Sequence, residues 1–148
     1  MAAVTTITRP ADATFIVTGE PRWEAAVPGW TDLPGARIPL NLGAGQSSYG
    51  AVFVATFSSE ALASGPSGGV VAASVFFGGT AAAPASANHR YVTTRGNPEW
   101  SSHTFIRTIR FDPSFDARDV TAQVKFLGSD GISAGIQNWV LKVERFNL

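Results

Sequence analysis

His89 and His103 are the only two imidazoles in the chain, and no carboxylate stands at metal-ligand spacing from both. A zinc ion would need further ligands gathered from distant segments. Asp112, Asp116 and Asp119 offer oxygens along one short run, as a calcium loop does. They lack the every-second-residue spacing of such a loop, and Arg118 stands among them, so they read as polar turn residues. No serine lies in a Gly-x-Ser-x-Gly elbow, and Glu20, Glu24, Glu60 and Glu99 fall in or beside turn-forming stretches instead of pairing on rigid strands. Gly65 to Gly69 is not followed by the Lys-Ser/Thr that a phosphate-cradling loop requires. With no cysteine there is neither thiolate nor disulfide, and the compartment is left open. These residues predict a protein that is not an enzyme and that uses no metal and no cofactor.

The aromatic residues carry more information. Trp139 alternates with Leu141 and Val143 and is expected in the core. Trp23, Trp30 and Trp100 instead stand close to Pro21, Pro28-Gly29 and Pro98. A large ring at such a place plugs the end of a core, anchors a protein contact, or stacks on a sugar face. With Tyr49 and Arg107, these three tryptophans form the set of candidate contact residues.

The elements that position them are strands. Thr14 to Thr18 is β-branched and aromatic and stops at Gly19-Glu20-Pro21. Leu33-Pro34-Gly35 reads as a turn, after which Ile38, Leu40 and Leu42 share a face. Pro39 between them lacks the N–H of a sheet ladder and predicts an edge strand. Gly43 to Ser48 ends that strand. Val52 to Phe57 is apolar on both faces, as a central strand or a subunit contact would be. Ala61-Leu62-Ala63 has the composition of a helical turn, Ser64 to Gly69 that of a loop. Val70 to Phe77 is again apolar on both faces, and Thr80 to Asn88 reads as a long loop. From His103 to Phe111, Phe105, Ile109 and Phe111 share a face that Arg107 interrupts. Val120, Ala122, Val124 and Phe126 alternate with polar residues, and Gly128 to Gly131 is a tight turn before Asn138 to Phe146, a half-buried strand. Because that strand carries Trp139, the C-terminus is expected to be structural and not a tail. Seven or eight strands and no sustained helical period predict an antiparallel β-sandwich. Residues 1–12 form an N-terminal arm, and 13–148 a single domain of a size that buries roughly 68–70% of its unfolded surface.

Composition narrows the partners. Only 15% of residues are charged, and eleven basic side chains balance eleven acidic ones. A nucleic-acid binder would carry a basic excess. No apolar run is long enough for a membrane helix, and the first ten residues contain no export signal, which predicts a soluble chain. Zero net charge promotes association, and nine of the eleven basic residues are Arg, the cation enriched at protein interfaces. The composition thus predicts a homo-oligomer.

Phe15-Ile16-Val17, then Trp30-Thr31-Asp32-Leu33-Pro34-Gly35 leading into Ile38-Pro39-Leu40-Asn41-Leu42, then Val52-Phe53-Val54-Ala55-Thr56-Phe57-Ser58 resembles the opening half of small jelly-roll modules of the tumour necrosis factor and complement type. The Thr-Asp-Leu-Pro-Gly step and the strand after it also resemble modules of bacteriophage structural proteins. The likeness covers most of the chain as strand order, with generic motifs. It implies a jelly roll that assembles as a trimer and serves in a virion as a capsid decoration, spike or tail-fibre head, made in the host cytoplasm. The alternative is a carbohydrate- or receptor-binding module acting outside the cell. On the first reading the Thr-rich arm, Ala2 to Pro10, adds to a neighbour's sheet.

Overall fold

The computed structural model describes residues 4, 6–40, 50–85, 89–94, 98–112 and 120–148. Side chains that alternate over short windows form strands, and no helix occurs among the described residues. The strands are β1 (Ala13–Gly19), β2 (Trp23–Ala26), β3 (Thr31–Pro39), β4 (Ala51–Ser64), β5 (Val70–Phe77), β6 (Thr80–Ala81), β7 (Arg90–Thr93), β8 (Ser101–Phe111), β9 (Thr121–Gly128) and β10 (Ser133–Asn147). β1 and β2 are successive pieces along one edge of β10, and β6 and β7 successive pieces along one edge of β5. The ten strands therefore occupy eight lanes, in two antiparallel sheets: β1/β2–β10–β4–β8 and β3–β9–β5–β6/β7.

The pairings are nested. β1/β2 lies with β10, β3 with β9, β4 with β8, and β5 with β6/β7, as if one long hairpin had been rolled over itself. This is the jelly-roll connection of a β-sandwich. Between the sheets Phe53 and Phe57 of β4 face Phe77 of β5 and Phe126 of β9, all fully buried. Val120, Val124, Phe126, Trp139, Leu141 and Val143 are all buried, as their alternation predicts. β3 is an edge strand, as Pro39 requires, and β4 is central between β10 and β8.

Three local readings are corrected. Ala61-Leu62-Ala63 forms no helical turn; it continues β4 and pairs with β10, because a partner strand on that side overrides the helical preference of Ala and Leu. Leu33-Pro34-Gly35 lies inside β3, where the register against β9 shifts between Asp32 and Arg37, so the turn chemistry is used for a bulge; Gly35 takes φ 81° there. Thr80 to Asn88 is not wholly loop, since Thr80–Ala81 forms β6 and Ala83 makes an isolated bridge to Thr108. Residues 86–88, 41–48 and the arm residues 1–3 and 5 lie outside the described residues.

β10 contains a second bulge. Ala134 and Ile136 point inward, yet so do Trp139, Leu141 and Val143, three residues further on and in the opposite phase. The register against β4 shifts between Gln137 and Val140, and Asn138 takes φ 49°, a conformation that asparagine tolerates better than most side chains. The bulge keeps both ends of a fifteen-residue strand facing the same core. Beside its far end, Asp12 accepts from Asn147 N at 2.6 Å and pairs with Arg9, whose guanidinium also donates to Asn147 O. The hydrogen bond from Asn147, reinforced by Arg9, holds the Asp12 carboxyl below its ordinary range. Residues 9–12 are thereby tied to the end of β10.

Candidate functional site

The candidate contact residues do not converge. Trp23 of β2 is half-buried and tilts toward Phe126 at 6.1 Å between ring centroids, closing one end of the core. Trp30 is half-buried and meets Phe76 edge-on at 5.1 Å, on the outer side of the second sheet, where Lys125 Nζ lies 5.0 Å from the Phe76 ring. Trp100, just before β8, lies over the first sheet. A Cβ added at Gly135 would be 3.1 Å from its ring, so the ring occupies the space that glycine leaves open. The Arg22 guanidinium sits 5.1 Å from the same ring. Tyr49 lies outside the described residues, as do Asp116 and Asp119, while Asp112 is exposed at the end of β8.

Arg107 occupies the most unusual position. On β8 it takes the inward phase shared by Phe105 and Ile109, and it is buried at 7% exposure. Its guanidinium crosses between the sheets and donates from Nη2 to Ala73 O of β5 at 3.2 Å and from Nη1 to Ile106 O at 2.9 Å. The reason lies in the lane beside β5. That lane is interrupted between β6 and β7, and the Ala73 carbonyl points to the same side as that of Val75, which accepts from Ala82 N. Arg107 supplies a donor to a β5 carbonyl that neither β6 nor β7 pairs with among the described residues. Its charge centre also lies 4.6 Å from the Phe105 ring, and burial lowers its pKa from the ordinary value.

Tyr91 of β7 stands next to it. Its hydroxyl bonds with Ser59 Oγ of β4 and donates toward His103 O at 3.2 Å, stitching the open edge of the sandwich. His103 Nε2 in turn lies 2.7 Å from Ser101 Oγ, while His89 is exposed just before β7. Among the described residues no three His, Asp or Glu side chains are grouped so as to hold a metal ion. Burial pushes the Tyr91 phenol well above its ordinary value, against the opposing effect of Ser59. The folded state thus holds that proton more tightly, and the associated stability is complete below the ordinary tyrosine pKa and lost as pH rises above it. In a Tyr49→Phe variant, phenolate absorbance should not rise until the protein unfolds in alkali. A reversible rise near pH 10 in the folded protein would show that Tyr91 is accessible to water.

The outer face of the β1/β2–β10–β4–β8 sheet is the other feature. Ile16, Lys142, Thr56 and Ile106 form one row across four strands, and Thr18, Val140, Ser58 and Thr104 the next. Ile16 is 63% exposed, Ile106 56% and Val140 40%. The charges beside them are few, and Lys142 and Glu144 pair with each other at 3.7 Å. Sequence reading places Ile16 in an apolar run without saying that its side chain stays outside, because the facing strand is far away in the chain.

No protein-family model matches this chain, and no curated protein matches it. Solved structures similar to it include two viral ones. A chain in the structure of infectious bursal disease virus Gx strain aligns with 98% of this protein at 9% identity and a TM-score of 0.39. One in the structure of infectious bursal disease virus Gt strain aligns with 100% at 10% identity and a TM-score of 0.29. This chain spans 42% of the length of each.

Proposed function

We propose that this protein is a non-enzymatic structural subunit of a virion, a capsid decoration or a tail or spike head, that assembles as a homotrimer through protein contacts. The observation that carries the reading is the outer face of the β1/β2–β10–β4–β8 sheet. It sets Ile16 and Ile106 about 14 Å apart, three strand spacings of ~4.8 Å, with Val140 near the centre. Between them stand Thr and Ser side chains and one charge, Lys142, which is already paired with Glu144, so the charge to be desolvated when a neighbour covers the face is partly compensated. Zero net charge and a preponderance of Arg over Lys act in the same direction. This surface supports the self-association, and the nested jelly-roll order of the strands, which the sequence shares with the structural modules it resembles, supports the virion role.

The wild-type protein should scatter light as a trimer at high micromolar concentration in physiological salt. Ile16→Lys with Ile106→Lys should give monomers whose stability changes by no more than about 1 kcal/mol, since each substitution is on the surface. A monomeric wild type removes the trimer. For the virion role, the protein is co-expressed with the structural gene encoded beside its own. Cosedimentation with the particles, lost in the double variant, is expected, and unassociated protein beside intact particles overturns the role. A glycan array applied to the intact protein tests the carbohydrate-binding alternative, and strong binding there would reverse the order of the two.

A further inference from the structure

The interruption between β6 and β7 leaves a cleft of about 80 Å³ at the open edge of the sandwich. Arg107, Arg90, His89 and His103 line it, and no carboxylate does among the described residues. Arg107 forms its floor and is 93% buried, the complement of its 7% exposure, while Arg90 and His89 are exposed at the rim. A buried cation is ordinarily paired with an anion. Arg107 has none among the described residues: its hydrogen bonds go to two backbone carbonyls, and its Nε is buried without a partner. A guanidinium has five N–H donors, so three remain beyond those two bonds. Among the described residues no negative charge completes this site, which leaves it open to an anion from outside.

We propose that this cleft binds one sulfate or phosphate group, as the free ion or at the tip of a larger molecule. The volume admits one such group and is far below the several hundred Å³ that take a drug-sized ligand whole. A doubly charged tetrahedral anion suits donors that approach from different directions, Arg107 from beneath and Arg90 and His89 from the rim, each forming charge-assisted bonds. The charged lining of the site lies on the inner and edge sides of β7 and β8, apart from the outer sheet face of the assembly proposed above, although Thr104 borders both.

The test is a titration of the full chain with sodium sulfate, at constant ionic strength against sodium chloride, read by melting temperature and by amide chemical shifts. A saturable rise in melting temperature is expected, with shifts centred on Arg90, Tyr91 and Arg107. Arg107→Met should abolish the response and Arg90→Ala should weaken it about tenfold, each measured against the same variant in chloride. Arg37→Ala, on the far edge strand β3, should retain it. Should Arg107→Met not fold, Arg90→Ala still decides. At about pH 8, where the phosphate monoester is a dianion like sulfate, glucose 6-phosphate binding more tightly than sulfate identifies an attached group as the ligand; equal or weaker binding identifies the free ion, and both uphold the site. The proposal is overturned by a response that does not saturate, by one undiminished in Arg107→Met and Arg90→Ala, or by glucose binding as well as its 6-phosphate.

Discussion

Phe57→Ala should destabilise the protein by about 3–5 kcal/mol, the range for deleting a large buried aromatic side chain. Phe57 is fully buried near the middle of β4, and its ring lies 5.5 Å from Phe105, 6.0 Å from Tyr91, 6.1 Å from Phe126 and 6.2 Å from Trp139. Those four rings come from β8, β7, β9 and β10, so truncation opens a void against both sheets at once. None of the four can collapse into it without leaving its own strand. For a chain of this length the loss corresponds to a fall of roughly 6–20 °C in melting temperature. Ile106→Ala, one strand away on the outer face, should cost no more than about 0.5 kcal/mol in the monomer. Urea unfolding of the two variants checks the contrast, and similar midpoints would mean that Phe57 is not the centre of the core.

Gly19→Ala should cost about 1–3 kcal/mol although it adds a single methyl group. Gly19 ends β1 opposite Trp139, and a Cβ there would fall inside the van der Waals envelope of the indole ring. That ring is held on another side as well, where Phe57 stacks on it. It therefore cannot swing away freely. In a Trp139→Leu background the same Gly19→Ala change should cost much less, because the colliding ring is gone, and a double-mutant cycle measures that coupling directly. Additive costs would show that the two residues do not share the space.

Strand faces were legible wherever alternation was clean. Trp139, Leu141 and Val143 announce their burial, Pro39 announces an edge, and Arg107 announces itself as a charge in an inward phase. Other features depend on partners the local sequence does not contain. Ala61-Leu62-Ala63 is strand only because β10 lies beside it, and Leu33-Pro34-Gly35 is a bulge only because β9 continues past it. The basic cleft was hidden for the same reason. His89 and Arg90 precede Arg107 by 18 and 17 positions, and they meet it where β7 begins, beside the break in the β5 lane between β6 and β7.

The nesting of the strand pairs has a kinetic consequence. The turn at Gly78-Gly79 joins β5 to β6, whose residues Phe77 and Thr80 are three positions apart, whereas Ala13 of β1 must find Arg145 across most of the chain. Each successive pair encloses the one before it. Closing an open chain between distant residues costs entropy that grows with the logarithm of loop length, but each inner pair that has already formed shortens the segment left to close. The roll should accordingly zip outward from β5 and β6 through β4 with β8 and β3 with β9, and β10 should receive β1 last. High contact order of this kind places folding in the millisecond-to-second range. Until the final lane docks, β10 presents an unpaired apolar edge, the point in folding at which the chain is most exposed to pairing with a copy of itself.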